Sequence, residues 1–196
     1  MARLPRMRRP AARLGVAGSV AVILWFAGGA DLAWRAIAGP PDLGPVDLAT
    51  LERRPAPNDA LACPPGLCAA RIDIAPPHWP MPAAELRRAF ATALADEPRT
   101  ERVAADDATM TDRWVQRTRL MRFPDTIVAR FVDLPEGGST VILYSRSQLG
   151  SDDLGVNRAR IERWLRRLRD TVPSGDPPAA GTRPSATPPA AASGSR

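Results

Sequence analysis

A single histidine, His78, must serve any chemistry in this chain that needs an imidazole. Every basic side chain is an arginine, so Schiff-base chemistry, a lysine general base and the Gly-Lys-Ser/Thr phosphate loop are excluded. A multi-histidine metal site is excluded as well, and no metal or cofactor is expected. A serine or cysteine nucleophile paired with an imidazole would have to recruit His78.

The two cysteines, Cys63 and Cys68, stand in CPPGLC. A thioredoxin-like redox motif has two intervening residues rather than four, and haem attachment needs a histidine where Ala69 stands. Ala60-Leu61-Ala62-Cys63 faintly resembles a lipoprotein cleavage box but lies far beyond the hydrophobic segment described below. In an exported chain the simplest reading is one disulfide closing a short loop.

Polar groups concentrate in YSRSQLGSDDLGVNRARIERWL, Tyr144 to Leu165. Read structurally, Gly150 and Gly155 allow a tight strand-to-helix connection. Asn157 would cap the helix, and Asp152 or Asp153 would favour its start. Arg146, Arg158 and Arg160 would pair with Asp125, Asp152 and Asp153. Read functionally, backbone N–H groups at the helix start, with Arg146 and Arg158 beside them, would hold a carboxylate or phosphate. Ser145 and Ser147 would add hydroxyl donors. The candidate ligand-binding residues are therefore Ser145, Arg146, Ser147, Asp153, Asn157 and Arg158. The enzymatic alternative is a hydrolase using the Asp125/Ser145/Asp153 neighbourhood, with His78 as the one imidazole available to serve as base. No catalytic residue is assigned.

This stretch resembles the signature of the family catalogued as domain of unknown function 1499. That signature is similar to Ser-Arg-Ser-x-x-Gly-x-x-Asp-x-Gly-x-Asn-Arg, matched here by Ser145, Arg146, Ser147, Gly150, Asp153, Gly155, Asn157 and Arg158. Arg122-Phe123-Pro124-Asp125 resembles the family's Arg-Phe-Pro-Asp turn. Pro57-Asn58 with Cys63 is similar to its Pro-Asn-Cys opening, although here an insertion displaces the cysteine. The resemblance runs from Pro55 to Asp170, and the family's name implies no activity.

The elements that must position these groups follow from periodicity. Ile72 and Ile74 alternate with charged neighbours over Arg71 to Ala75, as in a short strand. Pro82 suits a first helical turn, followed by Leu86, Phe90 and Leu94 at helical spacing. Arg99–Ala105, Asp112–Phe123, Thr126–Leu134 and Thr140–Ser147 read as strands, with a hairpin signal at Glu136-Gly137-Gly138-Ser139. A closing helix follows Asn157, with Ile161, Trp164, Leu165, Leu168 and Val172 as its apolar stripe and Arg158, Arg160 and Arg163 at other positions. The fold class is α+β: a small antiparallel sheet of four to five strands in the order β-α-β-β-β-β-α, covered on one face by two helices.

Ahead of that unit, Leu14 to Ala30 lacks any charged side chain and follows Arg3, Arg6, Arg8, Arg9 and Arg13. The positive-inside rule keeps such an N-terminus in the cytoplasm and sends the rest across. Residues 14–38 are expected to be an uncleaved transmembrane signal-anchor. The competing reading is a cleaved signal peptide, with small residues at Gly28/Ala30 or Ala36/Ala38. The expected organisation is a basic cytoplasmic arm over 1–13, the anchor over 14–38 and a proline-rich spacer over 39–62. The α+β domain follows over 63–172, then a disordered proline/alanine/serine tail over 173–196. The five N-terminal arginines account for nearly all of the formal charge of +6. A nucleic-acid binder needs its arginines on the folded surface, so that class is excluded. The expected protein is a single-pass inner-membrane protein with a periplasmic, non-enzymatic domain. Its partners would be the membrane and an anionic or apolar small ligand or another envelope protein.

Overall fold

The computed structural model describes residues 19–175. The basic arm, the first part of the hydrophobic run and the tail from residue 176 lie outside the described residues. Helix α1, Ser19–Ala38, is long and apolar enough to cross a membrane. It contains a π-helical stretch at Trp25–Gly29, where Gly28 takes φ +117. A glycine inside a π-bulge is a recognised cause of a local kink.

One five-stranded antiparallel sheet organises the remainder. Its strands are β1 Asp59–Ala62, β2 Thr100–Asp106, β3 Thr111–Arg117, β4 Pro124–Asp133 and β5 Ser139–Ser147, in the spatial order β1-β5-β4-β3-β2. Helix α2, Ala83–Ala93, follows β1, and helix α3, Val156–Thr171, closes the domain. The element order is the expected one. The β4–β5 hairpin turns where Gly137 and Gly138 stand, and at Gly138 (φ +73) a Cβ would meet the Trp79 carbonyl at 2.4 Å. Only glycine fits there.

The two helices cover one face. Leu86, Phe90 and Leu94 from α2 meet Ile161, Trp164, Leu165 and Leu168 from α3 over Trp114, Ile127, Phe131 and Leu143 of the sheet. Phe90 stands edge-on to Phe131, Trp164 and Trp114, with ring centroids at 5.4, 5.9 and 6.2 Å. Such contacts contribute about 0.5–1.5 kcal/mol each beyond simple burial. This face is the centre of stability.

The first strand is not Arg71–Ala75. Asp59–Ala62 pairs with β5, and Ile74 makes only a single bridge to Ala62. The expected spacer 39–62 ends in this strand; its residues 39–58 are irregular, as its prolines favour, but they do not hang free. Leu48 and Leu51 are buried with Cys63 on the second face of the sheet, against Leu61, Val128, Ile142 and Tyr144. Arg53 ties this cover down, bonding Asp59 at 2.5 Å and Asp73 at 2.6 Å. Tyr144 donates to Asp59 at 2.7 Å; burial and that carboxylate push its phenol up. Cys63 and Cys68 are disulfide-bonded, with Cα atoms 6.4 Å apart.

Candidate functional site

Strand register makes one end of the helix-covered face polar. Gln116, Asp125 and Ser147 are cross-strand partners in one row, and Trp114, Ile127 and Ser145 form the next. The first turns of α3 lie over these rows and contribute Asn157 and Arg160, which are 0% and 2% exposed. Buried polar groups must find partners or cost several kcal/mol, and here they find one another.

The loop after β5 sets this geometry. Asp153 accepts hydrogen bonds from the backbone N–H of Gly155 at 2.9 Å and of Asn157 at 2.7 Å. Asp152 accepts from Leu154 N–H at 2.7 Å. The cap expected of Asn157 is therefore supplied by Asp153, and the Asn157 amide turns inward. Its Oδ1 accepts from Ser145 Oγ at 2.6 Å and from Arg160 Nη1 at 2.5 Å. Its Nδ2 donates to the Asn58 carbonyl at 2.9 Å and to Ser147 Oγ at 3.0 Å. All four hydrogen-bonding positions of the amide are used.

Arg160 is the centre of the network. It donates to Asp125, to Ser145 Oγ at 2.8 Å and to Gln116 Oε1 at 2.5 Å. Gln116 passes the chain on to Glu97 Oε1 at 3.0 Å, where Arg163 also donates at 2.8 Å. Burial pushes the Asp125 carboxyl up against the pull of Arg160, and burial likewise pulls Arg160 down. At Glu97 burial raises the carboxyl, but Arg163 and Gln116 together bring it below the usual range.

Four of the six residues singled out from sequence, Ser145, Ser147, Asp153 and Asn157, meet at this corner. The other two do not. Arg146 lies on the opposite face of the sheet, donating to the Leu43 and Gly44 carbonyls at 3.0 and 3.3 Å. Arg158 points to solvent and pairs with Glu162 at 3.1 Å. The inward arginine is Arg160, three residues after Asn157 and four before Trp164, so it lies on the buried stripe rather than beside it. That spacing is the signal that reveals it. Asn58 is marked only by the Pro57-Asn58 opening, and Gln116 and Glu97 carry no comparable local signal.

Chemically the cluster is closed. Ser145 is fully buried, its hydroxyl donates to an amide, and its other partner is a guanidinium. Both Asp153 oxygens hold backbone N–H groups. His78 contacts the Gly137 carbonyl at 3.0 Å, at the β4–β5 hairpin. Trp79, its neighbour, pairs with Ser139, six residues from Ser145 along β5, or roughly 20 Å at strand rise. Among the described residues no cluster of histidine, cysteine, aspartate and glutamate could hold a metal ion.

Two openings flank the network. A pocket of about 220 Å³ is lined by Phe123, Leu149, Leu154 and Val156, with Asp125, Ser147, Asp152 and Asp153 among its polar walls. A wider groove of about 430 Å³, to which Arg160 also contributes, is lined by Arg99, Arg117, Arg119, Arg163 and Arg167.

No curated protein matches the chain. Ser145, Ser147, Asp153 and Asn157 converge on the corner that Arg160 closes, and the family model described as "Protein of unknown function (DUF1499)" matches residues 50–168, so the chain belongs to that family.

Proposed function

We propose that the protein is a membrane-anchored module of the cell envelope whose domain binds a small apolar ligand, or an apolar side chain of an envelope partner, without catalysing a reaction. The anchor is residues 14–38, kept in the mature chain, with the N-terminus in the cytoplasm and the domain in the periplasm. The proposal rests on one observation: the corner spends most of its polar groups internally and presents an apolar-rimmed pocket at its outer edge. Leu154 carries the reading furthest. It is 91% exposed and holds φ +52, a placement unfavourable for a leucine on both counts. Beside it Val156 is 44% exposed, so the rim offers apolar surface that nothing in the domain covers. The carboxylates in the wall disfavour an anion in this pocket.

The full chain, extracted from its native membrane in mild detergent, should retain a molecule identifiable by mass spectrometry. Leu154→Asp should release that molecule while the melting temperature stays within a degree or two. Identical retained molecules in both proteins would sink the pocket as the binding site. The intact mass decides the anchor separately: a mature N-terminus near Asp31 or Gly39 would show cleavage.

A further inference from the structure

The turn between β3 and β4, residues 118–123, is fastened to α1 rather than projecting freely. Trp25 donates its indole N–H to the Leu120 carbonyl at 3.2 Å, and Trp34 donates to the Met121 carbonyl at 2.6 Å. Trp34 packs against Phe123 at a tilt, with centroids 4.6 Å apart. Arg117 and Arg122 pair with Asp31 at 2.9 and 3.1 Å. With its backbone held in this way, the turn points Leu120 (69% exposed) and Met121 (48% exposed) outward. These are among the most exposed large apolar side chains of the domain, and the helix beside them exposes Ile23 (64%) and Phe26 (50%).

We propose that this turn is a second membrane contact, with Leu120 and Met121 inserted into the outer leaflet beside α1. The inference rests on the membrane-spanning reading of α1 given above. A span that begins after Arg13 needs about 20 helical residues to cross a hydrocarbon core of about 30 Å, and so runs to about Ala33. Trp25 and Asp31 both fall inside that stretch. A turn bonded to Trp25 therefore lies at the depth of lipid rather than above it. The charges agree with this placement. Asp31 would be costly near hydrocarbon by itself, and the turn brings two arginines to it. Arg119, exposed at the edge of the turn, has a stem long enough to carry its guanidinium back to lipid phosphates. Trp34, just past that stretch, occupies the interfacial level where indoles with one bonded end are favoured. The fit is to an anionic phospholipid surface, with the apolar tip in acyl chains and Arg119 at the headgroups.

The test uses full-length protein with the native disulfide intact, carrying one added cysteine and a nitroxide label. It is reconstituted in phosphatidylcholine/phosphatidylglycerol vesicles. Labels at Leu120→Cys and Met121→Cys are compared with Ile23→Cys in the helix and Asp107→Cys on the far end of the domain. Collision with oxygen against a water-soluble nickel chelate reads depth. Positions 120 and 121 should favour oxygen several-fold, as position 23 does, while position 107 favours nickel. Two turn positions are read so that one poorly folded variant does not decide the result. If 120 and 121 behave like 107 while 23 is lipid-buried, the helix spans and the turn does not insert, and this inference is overturned alone. If 23 is water-exposed or missing from the mature chain, the membrane-spanning reading falls and the inference with it.

Discussion

Arg160 reaches from the second turn of α3 to Asp125 on β4, and each side chain of this ion pair is only 3% exposed. The pair locks the closing helix onto the polar end of the sheet, beside the apolar layer around Phe90. Burying both charges gives up hydration that their mutual attraction only partly restores. The serines, Asn157 and Gln116 supply the remaining hydrogen bonds that make the arrangement tolerable.

Removing both partners should therefore cost less than the two single removals added together. Asp125→Leu strands a buried guanidinium, and Arg160→Met strands a buried carboxylate; each should lose about 3–5 kcal/mol. The double variant should lose less than the sum of the two by about 1–3 kcal/mol, since neither charge is then left alone. Thermal unfolding of the full chain in detergent, followed by circular dichroism, measures this. Strict additivity would show that the two residues do not act as a pair.

Asn157 and Arg158 are adjacent in the signature and should behave oppositely. Asn157→Ala removes an amide on which Ser145, Ser147, Arg160 and the Asn58 carbonyl all depend. Its loss should exceed the 0.5–2 kcal/mol of a helix cap and reach about 3 kcal/mol. Arg158→Ala removes a solvent-exposed i,i+4 pair with Glu162, and should change stability by about 0.5 kcal/mol or less. The same melting experiment ranks them. A large loss in Arg158→Ala would mean that its guanidinium has a buried role.

Much of the fold is legible from residue types. Leu86, Phe90 and Leu94 announce α2, the Ile161–Leu168 stripe announces α3, and the β-branched run of β4 with the following glycines announces the hairpin. β1 is not legible because Ala60, Leu61 and Ala62 have little intrinsic strand preference. Their partner, β5, is about eighty residues away along the chain, so tertiary context makes the strand. Arg71–Ala75 shows the reverse, a local alternation with only one bridge to sustain it. At the corner the residue types are legible, while their directions follow from the backbone periods. A period of two sends Arg146 to the face opposite Ser145 and Ser147. A period of 3.6 carries Arg158 away from the face shared by Asn157 and Arg160. The spacing therefore divides the apparent cluster between two faces of the sheet and the solvent side of a helix.

Glu97 supplies the clearest pH dependence. It is 6% exposed, receives Arg163 at 2.8 Å and Gln116 at 3.0 Å, and titrates below its ordinary value of 4.5 in the folded chain. A carboxyl with a depressed folded pKa binds fewer protons folded than unfolded. Its contribution is fully present above about pH 4.5 and is lost as pH falls through the folded value. Asp125 runs the other way, because burial raises its carboxyl above 3.8: its contribution is present at low pH and fades as pH rises through that folded value. The two overlap in the acid range, so wild-type melting alone does not separate them. Comparison with Glu97→Gln does, since the amide retains one acceptor and cannot titrate. The stability advantage of wild type over Glu97→Gln should be constant from pH 7 to about 5 and shrink below about 4.5. Melting temperatures of both proteins at half-unit steps from pH 7 to 3 give the difference directly. A gap that stays constant to pH 3 would mean that the Arg163 and Gln116 bonds do not hold Glu97 in its charged form.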